Sequence, residues 1–231
     1  MRISPTEQTD TRQTGMRQTG TRQRILDASL ALFNQRAPAQ VTTAEIAEAA
    51  GIAEGNLHYY FRKKADLLVA LYDAFEAEVI RVAAFDLGGG SPPLEAYIEY
   101  QRDWFRLIWT HRWFYRDTVA LFAIAPELRP RVRAGTARAQ LRVRSVLDRM
   151  IEGGLLRATP EQAERLLTNA WIVSTYWIDY LRLTAERDDL READLDWGYA
   201  QVLALYAPFL TSEGKALAGT ATRDRRLNRH D

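Results

Sequence analysis

The sequence predicts an all-α protein: an N-terminal three-helix domain built on a helix-turn-helix, and a larger C-terminal helical domain. Three observations carry that expectation. The stretch Val41 to Leu68 reads as a helix, a glycine turn, a second short helix and the start of a third. From Leu94 onward every periodic segment has the apolar spacing of helices, and no convincing alternating strand pattern appears. Between these lies Gly88-Gly89-Gly90-Ser91-Pro92-Pro93, a clear internal break. With 231 residues, 47% of them hydrophobic and 10% aromatic, the chain can bury a sizeable core. The expected organisation is an arm over 1–20, a reader over 21–66, a ligand-binding and dimerisation domain over 67–211 and a tail over 212–231.

Residues 1–20 are polar and carry a five-residue repeat, Thr11-Arg12-Gln13-Thr14-Gly15 followed by Met16-Arg17-Gln18-Thr19-Gly20. Without apolar residues the segment is expected to be disordered when free. It is either a solvated tail or a basic arm, in which Arg12, Arg17 and Arg22 enter a minor groove. Helix 1 is expected over about 21–35, with Ile25, Leu26, Ala28, Leu32 and Phe33 facing inward. Thr42 and Glu45 then have the spacing of a capping box. Gly51 stands where a helix ends in a left-handed residue, which costs glycine nothing sterically.

A new helix starts near Ala53, with Leu57 and Phe61 on its buried side. Its other side carries Glu54, Asn56, His58 and Tyr59, groups able to bond base edges or phosphates. Arg62, Lys63 and Lys64 follow where a phosphate is expected. The expected DNA-binding set is Thr42, Thr43, Glu54, Gly55, Asn56, His58, Tyr59, Tyr60 and Lys64. Helix 4 should run from Lys64 to about Phe85, with Leu67, Leu71, Phe75 and Val79 inward. It would be a natural lever between reader and sensor.

The run AGIAEGNLHYYFRKKADLL resembles the signature of the TetR family of bacterial transcriptional regulators, with Gly51, Gly55, Leu57, Tyr60, Phe61, Lys64 and Leu67 on matching positions. The motif covers roughly 22–72. Two positions depart from it: Ala53 replaces a frequent capping serine, and His58 a common phosphate-contacting tyrosine. The run Trp113-Phe114-Tyr115-Arg116-Asp117 also resembles a subgroup of the family, over a region from Trp104 to Leu156. The resemblance implies a helical repressor that binds an operator and pairs its last two long helices with those of a second copy.

Further helices are expected at about 94–109, 112–124, 127–152, 160–186 and 195–210, with Thr159-Pro160 as a cap and first helical residue. Aromatic residues crowd two of these regions. Each is more often core, but together they suit a pocket for a largely apolar or aromatic ligand. The expected lining is Trp104, Trp109, Trp113, Tyr115, Arg116 and Trp177. Arg116, Asp117 and Asp179 either pair with one another or orient the ligand. The last two long helices are apolar on more than one side, and small Ala170 and Ser174 would admit a partner helix.

Other classes fare worse. The formal net charge is +1, so DNA affinity must come from local patches. No cysteine is present, which excludes disulfides and thiolate chemistry and fits a reducing cytoplasm. No apolar run reaches spanning length and no signal segment is visible, so no membrane is expected. His58, His111 and His230 have no metal-ligand spacing and the glycine run lacks a phosphate-loop lysine. An enzyme is therefore not expected, nor a cofactor or metal. An architectural helix-turn-helix protein without a ligand would not need the long C-terminal region. The expected partners are a palindromic double-stranded DNA operator, a small-molecule effector and a second copy of the chain.

Overall fold

The computed structural model describes residues 5–84, 94–184 and 190–215. The described residues are helical, with one isolated antiparallel bridge between Leu156 and Leu210 and no strand. The glycine-proline break at 88–93 and the part of the expected tail beyond Lys215 lie outside the described residues. In chain order the helices are α1 Pro5–Gln35, α2 Thr43–Ala49, α3 Glu54–Tyr60, α4 Lys64–Ala83 and α5 Leu94–Thr110. Then come α6 Arg112–Arg116, α7 Thr118–Ile124, α8 Leu128–Glu152, α9 Pro160–Thr184 and α10 Leu195–Tyr206.

The chain divides into two compact units. The first comprises the residues up to Phe75 together with Arg116–Pro130. Its core is built from Ile25, Phe33, Val41, Ile46, Leu57 and Leu67, all fully buried. Helix α1 begins at Pro5, well ahead of the expected start near Thr21. Extending a helix that packing has already nucleated costs less than starting one, which lets a polar sequence follow on. The side chains of Arg12 and Arg17 lie outside the described ones. The Arg22 guanidinium lies 5.2 Å from the centre of the Phe61 ring.

The inclusion of Arg116–Pro130 in this unit was not legible beforehand. The expected single helix over 112–124 is two, because Asp117 breaks it and its carboxylate accepts from the Ala120 N–H at 2.9 Å as the N-cap of α7. Arg116 donates to the carbonyl oxygens of Gln35 and Asn34, satisfying acceptors at the end of α1. Leu121, Ala125 and Leu128 are buried, and α7 packs against the 3-10 turn Pro38–Gln40. Within α9, Asp179 bonds Arg182 at 3.4 Å.

The second unit comprises Glu76–Tyr115 and the chain from Arg131 onward. One core cluster joins Phe105, Ile108, Trp177, Ile178, Tyr199 and Val202 from α5, α9 and α10. A second joins Leu147, Leu156, Ala163 and Leu166. Helices α9 and α10 approach closely because Gly198 has no side chain: a Cβ there would lie 2.6 Å from the Trp177 ring. Thr159 caps α9 by accepting from the Gln162 N–H at 3.2 Å, as the sequence predicts. Helix α10 stops at Tyr206, earlier than expected, where Pro208 turns the chain into a 3-10 turn. The expected tail is tied down at its start, since the Thr211 hydroxyl donates to the Gly154 carbonyl at 2.8 Å and Gly214 is buried.

Candidate nucleic-acid interface and sensor cavity

Helix α2 starts on Thr42, whose hydroxyl accepts from the Glu45 N–H at 3.2 Å while the Glu45 carboxylate accepts from the Thr42 N–H at 2.7 Å. Both halves of the predicted capping box are present. Arg36 also holds Glu45 at 2.8 Å, so the same carboxylate ties the end of α1 to the start of α2. The Thr42 backbone bond, then Arg36 and the Thr42 hydroxyl, hold the Glu45 carboxyl down at about 2. The turn into α3 passes through Gly51 at φ 67°, a left-handed conformation that favours glycine.

Helix α3 is anchored by Leu57 and by Phe61 at its end, both buried. Every other residue from Glu54 to Tyr59 is exposed, so one short helix presents Glu54, Gly55, Asn56, His58 and Tyr59 as a continuous polar row. A Cβ added to Gly55 would meet nothing, so the surface there is open. Ala53 provides no side-chain cap, as expected from the sequence. A different contact steadies the helix start: the Thr43 hydroxyl donates to Glu54 at 2.7 Å, linking α2 to α3. His58 Nε2 lies 3.9 Å from the same carboxylate. Tyr59 is 71% exposed and meets the half-buried Tyr60 edge to face at 5.2 Å.

Lys64 begins α4 and is more structural than its sequence context implies. Its ammonium donates to the Pro38 carbonyl at 3.0 Å, and partial burial pushes its pKa down. An ammonium has three donors, so this bond leaves capacity for a phosphate. Arg62 and Lys63 beside it are exposed. The arrangement presents hydrogen-bonding groups on α3, flanked by cations.

The expected pocket residues separate. Trp113 and Trp177 are almost fully buried, and Trp104 is 8% exposed. Trp109 stacks on Trp177 with ring centres 6.2 Å apart, and Arg112 lies 4.3 Å over Trp109. Trp113 and Tyr115 each meet Phe114 edge to face. Arg116 belongs to the first unit, bonded to the end of α1.

A cavity of about 350 Å³ opens elsewhere in the second unit, between α5, α8 and α10, and none of the six expected residues lines it. Its polar wall is Tyr97, Tyr100, Gln101, Tyr199 and Tyr206. Leu147 and Met150 of α8 and Leu203 of α10 make much of the remainder. The signal was present in the sequence: Tyr97, Tyr100 and Gln101 lie at i, i+3 and i+4, and Tyr199 and Tyr206 at i and i+7, so each group shares a helix face. Burial pushes the Tyr100 and Tyr206 phenols up to about 12, and Tyr199 higher still.

Helix α9 carries an apolar row on its outer side. Ile172, Tyr176, Tyr180 and Leu183 recur at helical spacing and are each about half exposed or more. Tyr180 stacks on the partly exposed Trp197 of α10 at 5.7 Å. Ala170, expected to admit a partner helix, is buried in the unit's own core, so the open face is the row beginning at Ile172.

Two family profiles match the chain. One, described as bacterial regulatory proteins of the tetR family, matches residues 25–71. The other, TetR, described as a bacterial transcriptional repressor, matches 75–217. The HTH-type transcriptional regulator AcrR of Shigella flexneri is 35% identical over 57 residues, a match spanning 25% of this chain and 26% of that relative's length. A TetR-family transcriptional regulator from Marinobacter aquaeolei VT8 has a similar structure, with a TM-score of 0.78 at 28% identity, over 87% of this chain and 97% of that one. SmeT in its complex with triclosan shares the fold, with a TM-score of 0.56 at 22% identity over 84% of this chain and 93% of that one.

Proposed function

The chain belongs to the TetR family of bacterial transcriptional regulators, not to an enzyme family, and from that premise we propose that it is a cytoplasmic repressor. On this reading a homodimer holds a palindromic operator and releases it when a small, largely apolar molecule fills the cavity of the second unit. The observation that carries the reading is α3: an exposed polar row fixed by buried Leu57 and Phe61 and followed by cations. Asn56 and Tyr59 would read base edges. Thr42, Thr43, Gly55, Tyr60 and Lys64 would set the helix against phosphates, as contacts of that kind position a protein without reading sequence. Glu54 accepts from Thr43, and as an anion it suits a cytosine amino group and disfavours close phosphates.

Dimerisation through α9 and α10 is supported by the row from Ile172 to Leu183, an apolar stripe of a kind that marks an interaction surface. A two-fold dimer would present two recognition helices to half-sites about 34–36 Å apart. Coupling between sensor and reader is supported by α4, one unbroken helix whose residues up to Phe75 fall in one unit and from Glu76 in the other. A ligand acts on it only by binding the two states with different affinity, and the coupling is reciprocal.

The test is selection of DNA by the full chain from a random-sequence library, together with sedimentation of wild type and Tyr176→Arg. The expected result is a palindromic site, a wild-type dimer and a Tyr176→Arg monomer that no longer holds the full site. A non-palindromic selected site, or an unchanged dimer, would refute the arrangement.

A further inference from the structure

We propose that the cavity between α5, α8 and α10 selects an uncharged, largely apolar molecule that carries a hydrogen-bond acceptor oxygen such as a ketone, ester or ether, and rejects carboxylates and amines. This rests on reading that cavity as the effector site. The first observation is the wall itself. Every polar side chain that lines the cavity is a neutral phenol or amide, and the rest of the lining is aliphatic or thioether. Charged groups stand nearby but outside it: Arg102 lies 5.4 Å over the Tyr199 ring, Glu99 is close to Tyr199, and Arg149 acts on Tyr97. A carboxylate or ammonium entering would shed its water with no counter-ion in the lining, which is the costliest kind of burial.

The second observation concerns donors. The Tyr97 and Tyr199 hydroxyls are buried, and neither has a hydrogen-bond partner among the described residues. Buried polar groups are normally satisfied, so two orphaned phenols in one cavity wall call for an explanation. Burial raises the pKa of both, which keeps them protonated. A protonated phenol with no acceptor is a donor in waiting, and an acceptor oxygen on the ligand supplies what the protein withholds. The chemistry also fits the size, since about 350 Å³ lies at the small end of ligand cavities. The occupant is therefore compact, with its selectivity resting on one or two hydrogen bonds rather than on an ion pair.

Three probes of nearly equal shape separate the contributions: biphenyl, 4-acetylbiphenyl and biphenyl-4-carboxylate, titrated against the full chain at neutral pH. The ketone is expected to bind about 2- to 10-fold more tightly than the hydrocarbon, the range of one net hydrogen bond. The carboxylate is expected to bind at least about tenfold more weakly than the ketone. In Tyr97→Phe/Tyr199→Phe the advantage of ketone over hydrocarbon should fall to within about twofold. Should that variant fail to fold, the wild-type ranking alone decides. A carboxylate that binds as well as the ketone, a ketone preference that survives loss of both hydroxyls, or no binding by any probe would overturn the proposal. The same titrations are repeated with the DNA selected by the wild-type protein. If the ketone binds with the expected ranking and leaves DNA affinity unchanged, the ligand class stands and the effector reading fails.

Discussion

Tyr59 and Tyr199 are the same residue in opposite circumstances. Tyr59, on the reader helix, is 71% exposed and contributes nothing to a core. Tyr199 is 8% exposed, meets Phe105 edge to face, and lines the cavity as well. The contrast extends to the two units. On α3 the proposed recognition groups stand outside a core made by other residues, so on that reading recognition can change without touching stability. In the second unit residues around the cavity are also core, so under the proposed function a change in specificity is a change in packing. An exposed site can thus be altered residue by residue, whereas a buried one has to be repacked.

The sharpest way to break this comparison is in the sensor. Trp177→Ala removes an almost fully buried ring that stacks on Trp109 and covers Gly198. Chemical denaturation should show a loss of about 3–5 kcal/mol. A loss below about 1 kcal/mol would return Trp177 to the ligand-lining set that the sequence suggested.

The reader should behave in the opposite way. Asn56→Ala and Tyr59→Ala are each expected to weaken specific DNA binding by about 1–3 kcal/mol. Their unfolding free energies should stay within about 0.5 kcal/mol of wild type, as is usual for exposed positions. Variants that bind the selected site like wild type would remove α3 from the interface. Equal losses of stability and binding would erase the distinction between the units.

Smaller effects belong to the scaffold beneath the reader. Thr42→Ala removes one half of the capping box and should cost about 1 kcal/mol, seen as faster amide exchange in α2. Unchanged exchange there would mean that the bond from Arg36 to Glu45 is enough by itself.

The smallest effect is a pH dependence. The folded state holds the Glu45 carboxyl at about 2, below its ordinary 4.5, so the unfolded chain binds this proton more readily. Its contribution is therefore complete above about pH 4.5 and is lost as pH falls towards 2. Melting curves of wild type and Glu45→Gln should converge across that window. Parallel curves would show that the carboxylate's charge is immaterial.

What the sequence determined was local. The Thr42–Glu45 box, the Thr159 cap, the left-handed Gly51 and the buried pair Leu57 and Phe61 depend on spacings of a few residues, and each stands where the sequence puts it. Helical class and the polar row of α3 follow from the same short-range rules. What tertiary structure decided involves residues far apart in the chain. Arg116 reaches the carbonyls of Asn34 and Gln35, which no local pattern could indicate. The break at Asp117 follows from a carboxylate that caps the next helix instead of pairing with its neighbour. Composition pointed to the tryptophans as a pocket, and the cavity between α5, α8 and α10 is lined by none of them. The void forms between the tyrosine faces of α5 and α10 and the aliphatic face of α8. A core is legible from hydrophobic periodicity because burial is nearly additive over residues. A cavity is the space left where packing fails to close, and only the arrangement of all its walls sets where that is.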